Sequence, residues 1–399
     1  MRILNETFGK EMNNRKQNNE TDEKTDNKMD NKMDNKPVSC PGCNNDGYYP
    51  AAKEDGDEIL KIMEEDAAPG DISLLYTRRD NPYTSFLMEN KDAQVGVIKK
   101  NGRVIATIAA IPRDMYIGGE RKRVCYVTNM KRLKSCDAAI NWYKMFEDMC
   151  RKVDCDVYYC SLIEDNTDVR RMLSKKRRFM PYTTPICTYK TYIISTKARL
   201  GAEFTGYEFT RAGKADEAEL LDFYKRCGRD RNFFPVFERL SDVGDIKAED
   251  FHILKRSGVI TAAGAVWDRR NVKQYVLNRC RGIYALLRFI NPVISALGYI
   301  KLPKDDTVVD LAFLSFLLSE DGDEEKYRIF ISLLLREMSD KYPMLVIGTD
   351  INNPKYRVLE KIRSISFKTE INEVIMTGID GKVPPSFDIG NVEVECALL

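Results

Sequence analysis

Three stretches in the first half of this chain recur in its second half in the same order, so whatever it folds into must accommodate one series of elements twice. The first pair is Pro50-Ala-Ala-Lys-Glu-Asp55-Gly-Asp-Glu-Ile-Leu60 and Arg211-Ala-Gly-Lys-Ala-Asp216-Glu-Ala-Glu-Leu-Leu221, with Asp55 and Asp216 in step at an offset of 161. Each reads as a strand end, a turn and the acidic start of an amphipathic helix. The second pair, Val97-Ile-Lys-Lys-Asn-Gly102-Arg-Val-Ile-Ala and Ile253-Leu-Lys-Arg-Ser-Gly258-Val-Ile-Thr-Ala, predicts β-hairpins turning on Asn-Gly and Ser-Gly at an offset of 156. The third, Asp156-Val-Tyr-Tyr-Cys-Ser-Leu-Ile-Glu-Asp-Asn166 and Met344-Leu-Val-Ile-Gly-Thr-Asp-Ile-Asn-Asn353, reads as a buried strand ending in an acidic, Asn-bearing turn, at an offset of 187. The step in offset implies about 31 additional residues in the second half, within 268–306. Between these anchors the pattern predicts a long strand over 123–130 and a helix over 138–152, with Trp142, Phe146 and Cys150 at helical spacing. Their counterparts are a strand over 307–317 and a helix over 324–341. Each half thus reads as a mixed α/β sheet.

A length of 399 residues also points to two compact units. With 43% hydrophobic and 31% charged residues, wholesale disorder and coiled coil are excluded. Sixty-three Lys and Arg against 61 Asp and Glu leave a charge of +2, which removes the basic excess of nucleic-acid binders, so no nucleic-acid partner is expected. Arg226, Arg229, Arg231 and Arg239, interleaved with Phe233, Phe234 and Phe237, read as a solvated face with a hydrophobic anchor. The single histidine, His252, reads as a core-edge residue and excludes a multi-histidine metal site; no metal is expected. Eleven scattered cysteines and the lack of a secretory signal point to free thiols in the cytoplasm. The apolar stretch 283–300 contains Arg288, Asn291 and Pro292, so stable membrane insertion is not expected. It predicts instead a helical hairpin, bent near Pro292, packed on the body of the protein. Residues 1–46, rich in Asn, Lys, Asp and Glu, read as a disordered tail, and Cys40-Pro-Gly-Cys43 within it as two free thiols.

The element order, together with Tyr126-Val-Thr-Asn-Met130, Asp165-Asn166-Thr-Asp-Val-Arg-Arg-Met-Leu173, Arg231-Asn-Phe-Phe-Pro-Val-Phe237 and Trp267-Asp268-Arg-Arg-Asn-Val-Lys-Gln274, resembles a bacterial subgroup of tandem proteins in the GCN5-related N-acetyltransferase (GNAT) family. The resemblance implies two tandem acyl-CoA N-acyltransferase-like domains with mixed, largely antiparallel sheets, at 47–195 and 207–378. A linker at 196–206 would join them; within the extension at 379–399, Val392, Val394, Cys396 and Leu398 alternate with exposed positions, which predicts a closing strand. It implies acetyl-CoA as co-substrate, its pantetheine along a splayed fourth strand at Tyr126, Val127 and Thr128. The phosphates would lie near Lys134, Ser135 and Ala138, with Asn166 touching the cofactor. The family's glycine-rich phosphate turn is absent: residues 131–139 offer Lys131, Arg132 and Lys134 instead, and the second copy's 318–325 is acidic and would repel a pyrophosphate. The family's thiolate-protonating Tyr is replaced by Leu173 and Glu360. Glu164 and Asp165 are the general-base candidates, with Asp310 and Asp350 also at strand ends. The implied activity is N-acetyl transfer to the amine of a small molecule or peptide. The alternative is a catalytically silent tandem fold that binds a ligand or partner, and a third reading is an aminoacyl or lipid-linked transferase.

Overall fold

The computed structural model describes residues 49–65, 72–136, 140–175, 181–280, 291, 295, 299–300, 303–375 and 390–399. All belong to one compact unit, Asn45–Leu399. The expected tail with Cys40 and Cys43, and most of the expected hairpin at 283–300, lie outside the described residues. The first half runs β1 (Tyr49–Pro50), a 3-10 turn (Lys53–Asp55), α1 (Gly56–Glu64), β2 (Ile72–Thr77), α2 (Pro82–Glu89), β3 (Gln94–Lys100), β4 (Arg103–Ile117), β5 (Glu120–Arg132), α3 (Trp142–Val153), β6 (Val157–Ile163), α4 (Thr167–Leu173) and β7 (Tyr182–Ser195). The second runs β8 (Tyr207–Arg211), a 3-10 turn (Lys214–Asp216), α5 (Glu217–Gly228), β9 (Phe251–Arg256), β10 (Val259–Trp267), β11 (Gln274–Cys280), β12 (Thr307–Val308), β13 (Ala312–Ser319), α6 (Glu324–Met338), β14 (Met344–Asp350), α7 (Pro354–Leu359) and β15 (Ser364–Ile375).

The offsets of the sequence repeat recur as the same atomic contacts. Asp55 Oδ2 accepts from Ala52 N at 2.9 Å, and Asp216 Oδ2 from Gly213 N at 2.9 Å, each carboxylate closing the turn before its helix. The other oxygen of each meets a lysine of the following hairpin, Lys99 at 2.6 Å and Lys255 at 3.4 Å. Glu58 accepts from Val104 N and Glu219 from Ile260 N, pinning each helix to the strand behind its hairpin. Both hairpins turn through left-handed pairs, Asn101-Gly102 at φ 51° and 77° and Ser257-Gly258 at 51° and 79°, the geometry that suits the twist of the flanking strands.

Twelve strands form one sheet in the order β1-β3-β4-β5-β6-β15-β7-β14-β13-β10-β9-β8. Its pairs are antiparallel except β5 with β6 and β13 with β14. Residues 196–206 separate the halves along the chain, but the sheet interleaves them: β15 lies between β6 and β7, and β7 pairs with β14. The expected strand over 307–317 is divided. Its start, β12, joins a second, three-stranded sheet ordered β12-β11-β2, and the chain enters the main sheet only at Ala312. That second sheet unites the inserted β11 with β2 of the first half.

Alternate residues of β4 and β5 face opposite ways. Ile108, Ala110, Cys125 and Val127 pack on Met145, Phe146 and Met149 of α3. Ala109, Ile111, Tyr126 and, from β6, Tyr159 join the largest core cluster, which includes Phe233, Phe234 and Val392. The Phe233–Phe237 anchor is buried as expected and docks along β4 beyond the end of β3, through Phe233 N to Tyr116 O at 2.8 Å and Tyr116 N to Phe234 O at 2.9 Å. His252 is buried with Nε2 at 3.1 Å from a Glu337 oxygen; burial lowers its pKa against the pull of that carboxylate.

Candidate functional site

The sheet opens where β5 leaves β6. The two strands pair only through Val124↔Val157, Cys125↔Tyr158 and Tyr126↔Tyr159. Beyond that point β5 stays paired with β4 up to Arg132, and β6 stays paired with β15. The strands therefore diverge into a V with its apex at Tyr126 and Tyr159. A β-bulge accompanies the divergence. The register steps from Ala109↔Thr128 to Thr107↔Lys131, so β5 carries one extra residue, and Asn129 takes φ 54°. Bulges bend the strand that holds them, and Asn tolerates the left-handed region better than most side chains.

The second half repeats this geometry. β13 and β14 pair only at Ala312↔Leu345 and Phe313↔Val346. The β10–β13 register steps from Ala265↔Ser315 to Ala263↔Leu318, and Phe316, 187 residues after Asn129, has φ 55°. A bulky residue is costly in that conformation. Its surroundings hold it: the Phe316 ring lies 5.1 Å from Phe237 and 5.8 Å from Trp267, and Tyr224 Oη donates to its carbonyl at 2.9 Å.

This second V is occupied by the chain itself. Phe316 N, at the bulge, donates to Glu395 Oε2 at 2.6 Å. Lys355 Nζ donates to Leu317 O at 3.0 Å and also to Glu393, whose other oxygen accepts from Asn353 Nδ2 at 2.8 Å. Tyr189 Oη donates to Val394 O at 3.0 Å. Val392, Val394, Cys396 and Leu398 are buried, as their alternation suggested. They do so without the expected closing strand: the segment makes an isolated bridge, Asn232↔Val392, and finishes in a 3-10 turn, Cys396–Leu398, because side-chain contacts inside the V replace a strand ladder. Burial raises the Glu395 carboxyl against the pull of the Ala397 and Phe316 N–H groups.

The sequence-expected residues divide into three groups. Tyr126 and Val127 are buried at the apex, and Thr128 lies partly exposed one residue before the bulge. Tyr126 Oη is 2.6 Å from Ser161 Oγ on the opposite arm, and burial pushes its phenol well above the ordinary range. Lys134 and Ser135 are exposed in the turn after β5, where Lys134 N donates to Glu65 at 2.8 Å. Ala138 lies outside the described residues. Glu164, Asp165 and Asn166 are exposed together at the tip of the β6 arm. There Asn166 Oδ1 accepts from Val169 N at 3.4 Å, capping α4, as Asn353 caps α7. Of the other strand-end carboxylates, Asp310 pairs with Arg270, whereas Asp350 is buried in the second V with its carboxyl raised by burial. Leu173 is buried, and Glu360 pairs with Lys190 at 2.6 Å.

One polar cluster had no sequence signal. On the core side of β4, Glu89 is bound by Arg78, by Arg113 at 3.2 Å and more loosely by Arg269 at 3.8 Å, all nearly inaccessible to solvent. Burial alone would raise the Glu89 carboxyl, but Arg78, Lys273, Arg269 and Arg113 hold it down at about 2. Burial pushes Lys273 down to about 7 despite Glu89. These residues come from α2, β4 and the segments that follow β2 and β10, so no spacing in the chain links them.

Among the described residues no group of three or more metal-ligating side chains converges, and no helix is long and apolar enough to cross a membrane. The mixed sheet with its paired, bulged openings is the acyl-CoA N-acyltransferase-like (GNAT) fold. Two structures of one enzyme bear this out. N-myristoyltransferase of Saccharomyces cerevisiae with bound myristoyl-CoA matches with a TM-score of 0.52 at 11% identity, over 91% of this chain and 91% of that one. A second structure of that enzyme with myristoyl-CoA matches at 0.51 and 10% identity, over 82% of this chain and 78% of that one. A GCN5-related N-acetyltransferase from Anabaena variabilis matches at 0.46 and 8% identity, over 82% and 72%. No family model and no curated protein matches the sequence.

Proposed function

We propose that the protein is an acyl-CoA-dependent N-acyltransferase that moves an acetyl group to an amine of a small molecule or peptide. In this reading its halves are tandem copies of one acyltransferase unit, and the first copy holds the thioester. One observation carries it: among the described residues no chain segment is bound at the bulge at Asn129, while its duplicate at Phe316 already holds a carboxylate oxygen on its N–H. An N–H in that position suits an oxygen that bears negative charge. In the first copy that oxygen would be the thioester carbonyl, whose charge grows as the amine attacks. The fold neighbours crystallised with myristoyl-CoA support a CoA thioester as the ligand class.

CoA would enter at the wide end of the V, its phosphates near Lys131, Arg132, Lys134 and Ser135, and its pantetheine along the edge of β5 that β6 has left. The amine nitrogen forms a bond to the carbonyl carbon, the carbon–sulfur bond breaks, and CoA leaves as the thiolate. The proton lost by the amine passes to Glu164 or Asp165. In register, Glu164 is two residues beyond the level of Asn129 on the opposite arm, about 7 Å along the strand. Positioning and oxyanion stabilisation supply the acceleration, which fits Leu173 in place of a proton-donating tyrosine. The glycine-free turn after β5 favours the second reading, a silent fold that binds ligand without turnover. Free thiols at eight cysteines of the described residues fit work in the cytoplasm.

Thermal denaturation with CoA and acetyl-CoA, followed by a free-thiol assay with a panel of amines, tests this. Ligand at a hundred times its dissociation constant should add about 2.7 kcal/mol of stability. Stabilisation without thiol release across the panel would favour the silent reading, and no stabilisation by either CoA species would end the acyltransferase reading.

A further inference from the structure

We infer that the first V admits only short acyl groups, and that the Tyr126 ring, held across the cleft by its contact with Ser161 and backed by Tyr159, sets the limit. This rests on the proposed acyltransferase reading and adds which side chains exclude longer acyl donors. With the CoA phosphates at the wide end and the carbonyl at Asn129, the acyl group points along the cleft toward the apex. That path is short. In the register that pairs Tyr126 with Tyr159, Ser161 is level with Thr128, one residue before the bulge. The Tyr126 Oη to Ser161 Oγ contact of 2.6 Å spans the two arms at that level and leaves about 3 Å of cleft beyond the carbonyl. A methyl group fits such a space; an extended fatty chain does not.

Neither face of the sheet offers a way round. On the core face, the Tyr126 and Tyr159 rings lie 5.1 Å apart, and Phe233, fully buried, lies 5.3 Å from Tyr159. Tyr159 and Phe233 are in turn enclosed by a core continuous from β4 to the second half. On the other face, Cys125, Val127 and Cys160 are buried in one core cluster with Phe146 and Met149. Interiors packed in this way carry few voids larger than a water molecule, and enlarging one displaces side chains at a cost of kilocalories. The fold neighbours hold a myristoyl thioester, so chain length is decided here by these side chains and not by the architecture.

Isothermal titration of the full chain with CoA, acetyl-CoA, octanoyl-CoA and myristoyl-CoA tests the limit. Acetyl-CoA should bind at least ten-fold more tightly than either long thioester. Tyr126→Ala should reduce that ratio at least ten-fold, chiefly by improving octanoyl-CoA. Tyr126→Phe, which keeps the ring and loses only the bridge, should change it far less. Equal or tighter binding of octanoyl-CoA to the wild type would overturn the inference while leaving the acyltransferase reading intact, and so would an unchanged ratio in folded Tyr126→Ala. Failure of CoA and every thioester to bind would remove the reading and the inference with it. The wild-type series decides the matter even if Tyr126→Ala does not fold.

Discussion

Replacing Glu89 with Gln keeps the shape of a side chain buried among arginines and removes only its charge. Its carboxylate contacts Arg78, lies 3.2 Å from Arg113 and 3.8 Å from Arg269, and both Glu89 and Arg78 are 1% exposed. At an effective dielectric constant of about 20, each unit-charge pair near 4 Å is worth ~4 kcal/mol, so three such pairs attract by ~12 kcal/mol before desolvation. Desolvation, several kcal/mol per buried ion, offsets most of this in the wild type. The substitution leaves the arginines' penalty in place and removes the attraction that compensates it, so the expected loss is about 3–5 kcal/mol. Urea denaturation at pH 7 should show a lower midpoint with an unchanged slope. The pH dependence gives a second check. The folded carboxyl sits at about 2 against an ordinary 4.5. Its stabilising contribution is therefore complete above pH 4.5 and is lost as the pH falls toward 2, where the gap between wild type and Glu89→Gln should close. A loss below ~1 kcal/mol at pH 7, or a gap that does not narrow in acid, would refute the reasoning.

Lys273, held at about 7, is deprotonated in the folded state before the unfolded chain releases its proton, so stability should rise as the pH goes from about 7 to 9; Lys273→Met should flatten that slope in denaturation curves. Because the second V is occupied, titration should find one CoA site per chain, and two equivalent sites would contradict the occupied bulge. Glu395→Ala should cost about 1–3 kcal/mol in chemical denaturation by leaving the Phe316 N–H without its acceptor. Lys134→Glu should weaken CoA binding about five-fold, the effect of ~1 kcal/mol at an exposed charge, and make the remaining affinity less sensitive to salt.

The sequence by itself determined the features that depend on neighbours in the chain. Asp55 and Asp216 close turns three residues long, Gly102 and Gly258 relieve left-handed hairpin positions, and Asn166 and Asn353 cap the helices that follow them. In each the partner is a few residues away, so the side-chain type at a fixed spacing specifies the contact, and the repeat at offsets of 161, 156 and 187 was readable for that reason. The stretch Tyr126 to Asn129 was also legible as strand, though the bulge within it was not, since an extra residue in a strand is defined only against its partner. Tertiary structure alone decided that β15 enters between β6 and β7, that residues 390–399 occupy the second V, and that Glu89 meets arginines from both halves. The alternation of Val392, Val394, Cys396 and Leu398 announced burial and suggested a strand, because alternating apolar residues describe which side chains leave water and not what receives them. Glu393 and Glu395, between them, read as solvent-facing carboxylates in the chain. They are bound inside because Lys355, Asn353 and the Phe316 N–H, brought there by the divergence of β13 and β14, compensate carboxylates that burial alone would penalise.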